Sequence, residues 1–162
     1  MLKNAMRLLA TGFGLGYSPF APGTVGCLWG LPLAWAIHAA RIPPGMELPF
    51  QIVAAAVLSL LAIPICTAGE KAAGAKDPHC VVADEYLTFP ISLIGLPFSP
   101  LVVAGAFVTN RLFDILKPFP ARQLQRLDGG LGITIDDVFS ALYSLALNHA
   151  LYRLALHSGW PV

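Results

Sequence analysis

Formal charge is what this chain has least of. Its 162 residues include ten basic and nine acidic side chains, 12% of the total, against 56% hydrophobic residues. Residues 8–40, 48–69 and 86–110 carry no formal charge at all, and the mean hydropathy is +0.69. A soluble domain spends about a quarter of its residues on charge, so a membrane protein is the first inference. Net charge is only +1, with no basic stripe of the kind that neutralises a phosphate backbone, which argues against a nucleic-acid partner.

Cysteine is nearly as scarce. Cys27, Cys66 and Cys80 are odd in number and widely spaced, which excludes a disulfide framework and a CxxC metal site; they read as small buried hydrophobes. No serine, cysteine or histidine sits in a nucleophile setting. The opening MLKNAMRLLATGFGLG begins basic but meets glycine before an adequate apolar core, so a cleaved signal peptide is not expected. Repeats and low-complexity tracts are absent, and by length residues 1–162 are expected to form one membrane domain.

What charge there is gathers in two islands. Six charged residues lie within 70–85 and eight within 111–137. In the second island Arg111, Asp114 and Lys117 recur every third residue, so on a helix they face one way, and Pro118 and Pro120 end that helix. Arg122 and Arg126 follow, then a flexible Asp128-Gly129-Gly130-Leu131-Gly132 loop, then the pair Asp136-Asp137. Arg and Lys fork onto phosphate oxygens, while clustered carboxylates repel unless a hard cation sits between them. Phosphate plus magnesium fits this stretch. So does a plainer arrangement, with Thr134 capping a helix in a Thr-x-x-Asp box, the acids serving its dipole and the bases marking a membrane face.

The apolar stretches set the expected architecture. A loop over 18–24 precedes a span at about 25–40, with Thr24 either capping it or helping to aim its first N–H groups at an anion. Residues 48–69 are long enough to cross a hydrocarbon core about 30 Å thick, with a kink at Pro64. A turn at Asp77-Pro78 leads to a helix from near Cys80, closing on the acidic pair Asp84-Glu85. Residues 86–110 carry Pro90, Gly95, Pro97 and Pro100, poor material for a straight helix. One crossing there would put the two islands on opposite sides, so a re-entrant or hairpin helix pair is expected, with its turn at 94–100. A last apolar helix spans 138–156. His149 reads as a hydrogen-bonded core histidine and Trp160 as an interfacial anchor. This topology puts eight of the ten basic residues on the cytoplasmic side, leaving Arg41 and Arg153, as the positive-inside tendency favours. The expected fold is an all-α polytopic bundle with its site at the cytoplasmic edge.

Three blocks, LATGFGLGYSPFAPGTVG (9–26), DPHCVVADE (77–85) and R-x-x-D-x-x-K-P followed by G-G-x-G-I-x-x-D-D within 111–137, resemble the phosphatidylglycerophosphatase A family of bacterial membrane lipid phosphatases. Their order and spacing cover nearly the whole chain. The resemblance implies an acidic Mg²⁺ centre of Asp84, Glu85, Asp114, Asp136 and Asp137, with Arg111 and Lys117 placed for phosphate, the 22–24 loop with Thr24 against it, and Gly129 and Gly130 in the phosphate-facing loop. It implies hydrolysis of the terminal phosphomonoester of phosphatidylglycerophosphate on the cytoplasmic side of the inner membrane. With no serine, cysteine or histidine placed as a nucleophile, attack by water is favoured over a phosphoenzyme, with Asp114 the alternative as a covalent nucleophile. Thr88, Ser140-Ala141 and Asn110 depart from the family pattern at packing positions beside the site. Two other classes compete: a membrane cation carrier or channel using its intramembrane acids, and a phosphatase for a soluble phosphomonoester.

Overall fold

The computed structural model describes residues 2–159, and side chains from Asn4 onward; Trp160 lies outside the described residues. The regular structure among those residues is helical, with no strand. In chain order they form α1 (Leu2–Ala10), a 3₁₀ segment (Gly12–Tyr17), α2 (Pro22–Cys27), α3 (Gly30–His38), α4 (Glu47–Ala73), α5 (Ala83–Thr88), a second 3₁₀ segment (Phe89–Leu93), α6 (Pro100–Leu116), α7 (Ala121–Leu124) and α8 (Gly130–His157).

Two helices are long and apolar enough to cross a membrane, α4 with 27 residues and α8 with 28. At 1.5 Å per residue each is about 40 Å long, more than the hydrocarbon thickness. Ile52, Val53, Val57, Leu60 and Leu61 of α4 are exposed, a continuous greasy flank that water would not tolerate and acyl chains would. Helix α4 runs unbroken through Pro64 to Ala73, past the end expected at residue 69. Gly74, at φ +69°, stops it in the left-handed conformation.

The span expected at 25–40 is instead two short helices broken at Leu28-Trp29. The break follows from contacts made elsewhere: a Cβ on Gly26 would meet Val82 and one on Gly30 would meet Phe89, so α2 and α3 are each drawn onto the α5 segment. The Trp29 indole N–H also donates to the Gly12 carbonyl at 3.1 Å.

The predicted reversal is present as irregular chain over 94–99, between the buried helical run 83–93 and α6. Gly95 takes φ +70°, and His149, half-buried as expected of a core histidine, hydrogen-bonds the Ile94 carbonyl at 2.9 Å. The arms are unequal. The first, beginning at Ala83 rather than near Cys80, is about a third shorter than α6 and wholly enclosed apart from the half-buried Glu85. Its side chains Phe89 and Leu93 fill a core with Cys27, Ala34 and Ala106. Tyr86 donates to the Leu9 carbonyl at 2.9 Å and Val82 N–H to that of Ala10 at 2.8 Å, pinning α5 to α1.

Helices α6 and α8 are joined by buried polar groups. Thr109 and Ser144 hydroxyls lie 2.7 Å apart, and the Asn148 amide donates to Thr109 Oγ1 at 2.8 Å. Such bonds hold helices together where lipid removes the hydrophobic drive to associate.

Candidate active site

Helix α8 decides where the chemistry sits, and it differs from the sequence expectation at its start. It begins at Gly130, with Gly129 at its N-cap and no side-chain cap, so the glycines read as a loop are partly helix. The reason is close packing. A Cβ on Gly130 would collide with the Ile63 carbonyl of α4, and Gly130 N–H donates to Thr67 Oγ1 at 2.9 Å. Gly129 and Gly130 are therefore packed on α4 and do not line the acidic cavity, contrary to the phosphate-facing role expected of them. Thr134 is not a cap either: it lies inside the helix, 2% exposed, its hydroxyl without a hydrogen bond. Asp136 and Asp137 follow in the second turn, 3% and 4% exposed, too deep to be solvated dipole acids.

The other acids arrive from α5 and α6. Asp84 is buried and Glu85 half-buried on the first turn of α5. Arg111 and Asp114, one turn apart on α6, form an ion pair, and Arg111 Nη1 also lies 3.1 Å from Glu85 Oε2. That second contact is charge to charge without hydrogen-bond alignment, since neither atom has a hydrogen-bond partner. Lys117 is not on the helix with them. It takes a left-handed φ of +43° just past α6, which turns its ammonium onto Asp136 and onto Gln125 Oε1 at 3.0 Å.

All seven charged residues predicted for the site line one cavity of about 370 Å³, with Thr24 beside them. Residues 22–24, expected as the end of a loop, are the first turn of α2, and they lie close because Gly23 has no side chain: a Cβ there would run into the Glu85 carboxylate. Asp77, taken from sequence as part of a turn with Pro78, and His79, for which no role was expected, also line the cavity. The signals available for them were membership of the same short island as Asp84 and of the 77–85 block.

Six carboxylates and two cations share this space, an excess of four negative charges when all are ionised. For Lys117 burial acts downward, but the Asp136 ion pair outweighs it and the ammonium is held above its ordinary value. Asp84 Oδ1 and Asp136 Oδ1 are buried without hydrogen-bond partners.

That donor set suits a hard divalent cation: all oxygen, with orphaned carboxylate oxygens and surplus negative charge. Among the described residues no group of three or more His, Cys, Asp or Glu side chains is arranged, as it stands, to hold a metal ion. Arg111 sits on Glu85 and Asp114, and Lys117 on Asp136.

Of the departures from the family pattern, Thr88 and Ser140 are hydrogen-bonded to the backbone of site residues, and Asn110 to Ser92, which does not line the cavity. Thr88 donates to the Asp84 carbonyl at 2.7 Å, Ser140 to the Asp136 carbonyl at 2.9 Å, and Asn110 lies 3.1 Å from the Ser92 hydroxyl. A larger apolar groove of about 450 Å³ runs between α4 and α8, past Leu131, Ile135, Val138 and Leu142. Helical spacing puts those four on the side of α8 opposite Ile133, Asp136, Asp137 and Ser140. It offers no charged group for chemistry.

A family model described as Phosphatidylglycerophosphatase A matches residues 8–152. Among curated relatives, the Escherichia coli protein named Phosphatidylglycerophosphatase A is 34% identical, the match covering 99% of this chain and 88% of that one. Its Haemophilus influenzae namesake is 36% identical over 93% of this chain and 90% of its own. A Bacteroides thetaiotaomicron protein, provisionally named as a phosphatidylinositol-3-phosphatase, is 35% identical over 86% of this chain and 89% of its own. No solved structure matches.

Proposed function

Because this chain belongs to the phosphatidylglycerophosphatase A family, we propose that it is a Mg²⁺-dependent membrane enzyme. It hydrolyses the terminal phosphomonoester of phosphatidylglycerophosphate to phosphatidylglycerol and phosphate. The observation that carries this reading is the convergence of Asp84, Glu85, Asp114, Asp136 and Asp137 with Arg111 and Lys117 on one cavity.

The five carboxylates are the residues that would hold Mg²⁺. When bound it supplies charge stabilisation for the phosphoryl group and a lowered barrier for attack by water. Arg111 and Lys117 leave the carboxylates they now neutralise and take the phosphate oxygens, Arg111 through its planar fork and Lys117 as a point charge. Each then offsets charge that grows on those oxygens as the bond to glycerol breaks. Burial keeps these groups out of bulk dielectric, where the same contacts would be weak. A carboxylate of the set accepts a proton from the attacking water.

The site is read as lying at the cytoplasmic edge of the inner membrane. Helices α4 and α8 cross, the 83–116 segment enters and returns, and the short first arm favours re-entry over two full crossings. A substrate phosphate on the inner leaflet then meets the cavity without leaving the membrane surface. A cation carrier would place acids along a path at mid-membrane; these acids share their cavity with Arg and Lys instead.

The test is phosphate release by the purified chain in mixed micelles from phosphatidylglycerophosphate, phosphatidylinositol 3-phosphate and glycerol phosphate, with Mg²⁺ and with EDTA. The proposal expects release from the first, abolished by EDTA. Equal rates on glycerol phosphate would replace the lipid substrate with a soluble one.

A further inference from the structure

Asp77 lines the acidic cavity from an exposed turn, with its backbone in the left-handed conformation. Its φ is +45°, in the left-handed region that is unfavourable for most residues and suits Asn and Asp better than others. Among the described residues four non-glycines have positive φ: Phe13, Ala21, Asp77 and Lys117. The last three border this one cavity. Strain of that kind collects at functional sites, where surrounding structure maintains it.

The loop carrying Asp77 is tied down on both sides. Its N–H donates to Glu70 Oε1 at 3.3 Å, Val81 N–H to the Pro78 carbonyl at 2.8 Å, and Val82 N–H to Ala10 at 2.8 Å. The backbone therefore delivers the carboxylate to the rim.

Charge pairing separates the six acids of the cavity into two groups. Glu85 and Asp114 are held by Arg111, and Asp136 by Lys117. Among the described residues Asp77, Asp84 and Asp137 have no ion pair. Two of these lie in the floor, and Asp84 there keeps a buried oxygen without a partner. The third, Asp77, faces the cavity from the solvent side.

We propose that Asp77 is a further oxygen donor to the divalent cation of this site, completing from the rim a set that Asp84 and Asp137 begin from the floor. The inference rests on the metal-dependent reading above. A cation at such a place takes about six oxygens, several from water, so one exposed carboxylate at the entrance joins the set without a cost of burying another charge.

Mn²⁺ alone is the probe: its binding to the purified full-length chain in detergent is followed by the electron paramagnetic resonance signal of the free ion, with thermal unfolding measured in EDTA. Asp77→Asn keeps the left-handed preference, the loop hydrogen bond and the side-chain shape while removing the charge. It is expected to raise the Mn²⁺ Kd about tenfold or more and leave the EDTA Tm unchanged. Asp77→Gly, free to adopt the same φ, is expected to raise Kd similarly, which keeps the test intact if the first variant folds poorly. Asp84→Asn serves as the control that loses Mn²⁺ binding. A Kd equal to wild type in both Asp77 variants, with Asp84→Asn impaired, overturns the assignment and leaves Asp77 a turn residue. A wild-type chain that binds no Mn²⁺ overturns the metal reading beneath it as well.

Discussion

Arg111 Nη1 and Glu85 Oε2 lie 3.1 Å apart, across a reversal of the chain that separates them by 26 positions. The side chains on both sides of this contact are little exposed, so the pair both closes the α5–α6 reversal and holds phosphate-directed charge at the cavity. Arg111→Ala leaves Glu85 and Asp114 without a counter-cation and is expected to cost about 3–5 kcal/mol of stability as well as activity. Adding Glu85→Gln should restore much of the stability and none of the activity, read by denaturant unfolding in detergent beside phosphate release. A single mutant as stable as wild type would remove the structural half of this role.

Lys117 has two partners in its present position, Asp136 and Gln125, and one expected in the reaction. Lys117→Ala should lower kcat/KM about a hundredfold, the scale for losing one preorganised charge-stabilising donor, with protein still folded and inserted. Unchanged kcat and KM would reduce Lys117 to a membrane-face charge.

Two glycines should separate folding from catalysis. Gly130→Ala forces a methyl against the Ile63 carbonyl at the α4–α8 contact and is expected to cost about 1–3 kcal/mol, with near-normal turnover per folded molecule. Gly23→Ala forces one against the Glu85 carboxylate and should reduce turnover with little loss of stability. Tm and kcat measured on both variants give the comparison; a reversed pattern would relocate the site.

The sequence made the membrane class and the acid set legible because charge is so sparse that its clustering stands out. Helix α4 was readable as a charge-free run, and the reversal over 94–99 from its prolines and glycine. The break between α2 and α3 was not readable, because its cause is contact with Val82 and Phe89, far away in the chain. Nor was the start of α8: Gly129, Gly130 and Gly132 have the composition of a loop, and only the close approach of α4 at Ile63 explains a glycine at 130. Lys117 matched helical spacing and yet sits past the helix end. Asp77 was hidden inside a turn signal that is correct as far as it goes, and His79 next to it carried no signal of its own.

The account depends most on Asp84 and Asp136, buried acids from separate helices meeting on one cavity. The direct measurement is phosphorus NMR of phosphate release from phosphatidylglycerophosphate in micelles by wild type, Asp84→Asn and Asp136→Asn, each shown to be folded by thermal unfolding. Mg²⁺-dependent release by wild type and none by either variant is the predicted result. Mg²⁺-dependent release by a folded Asp84→Asn or Asp136→Asn at a rate near wild type would contradict it.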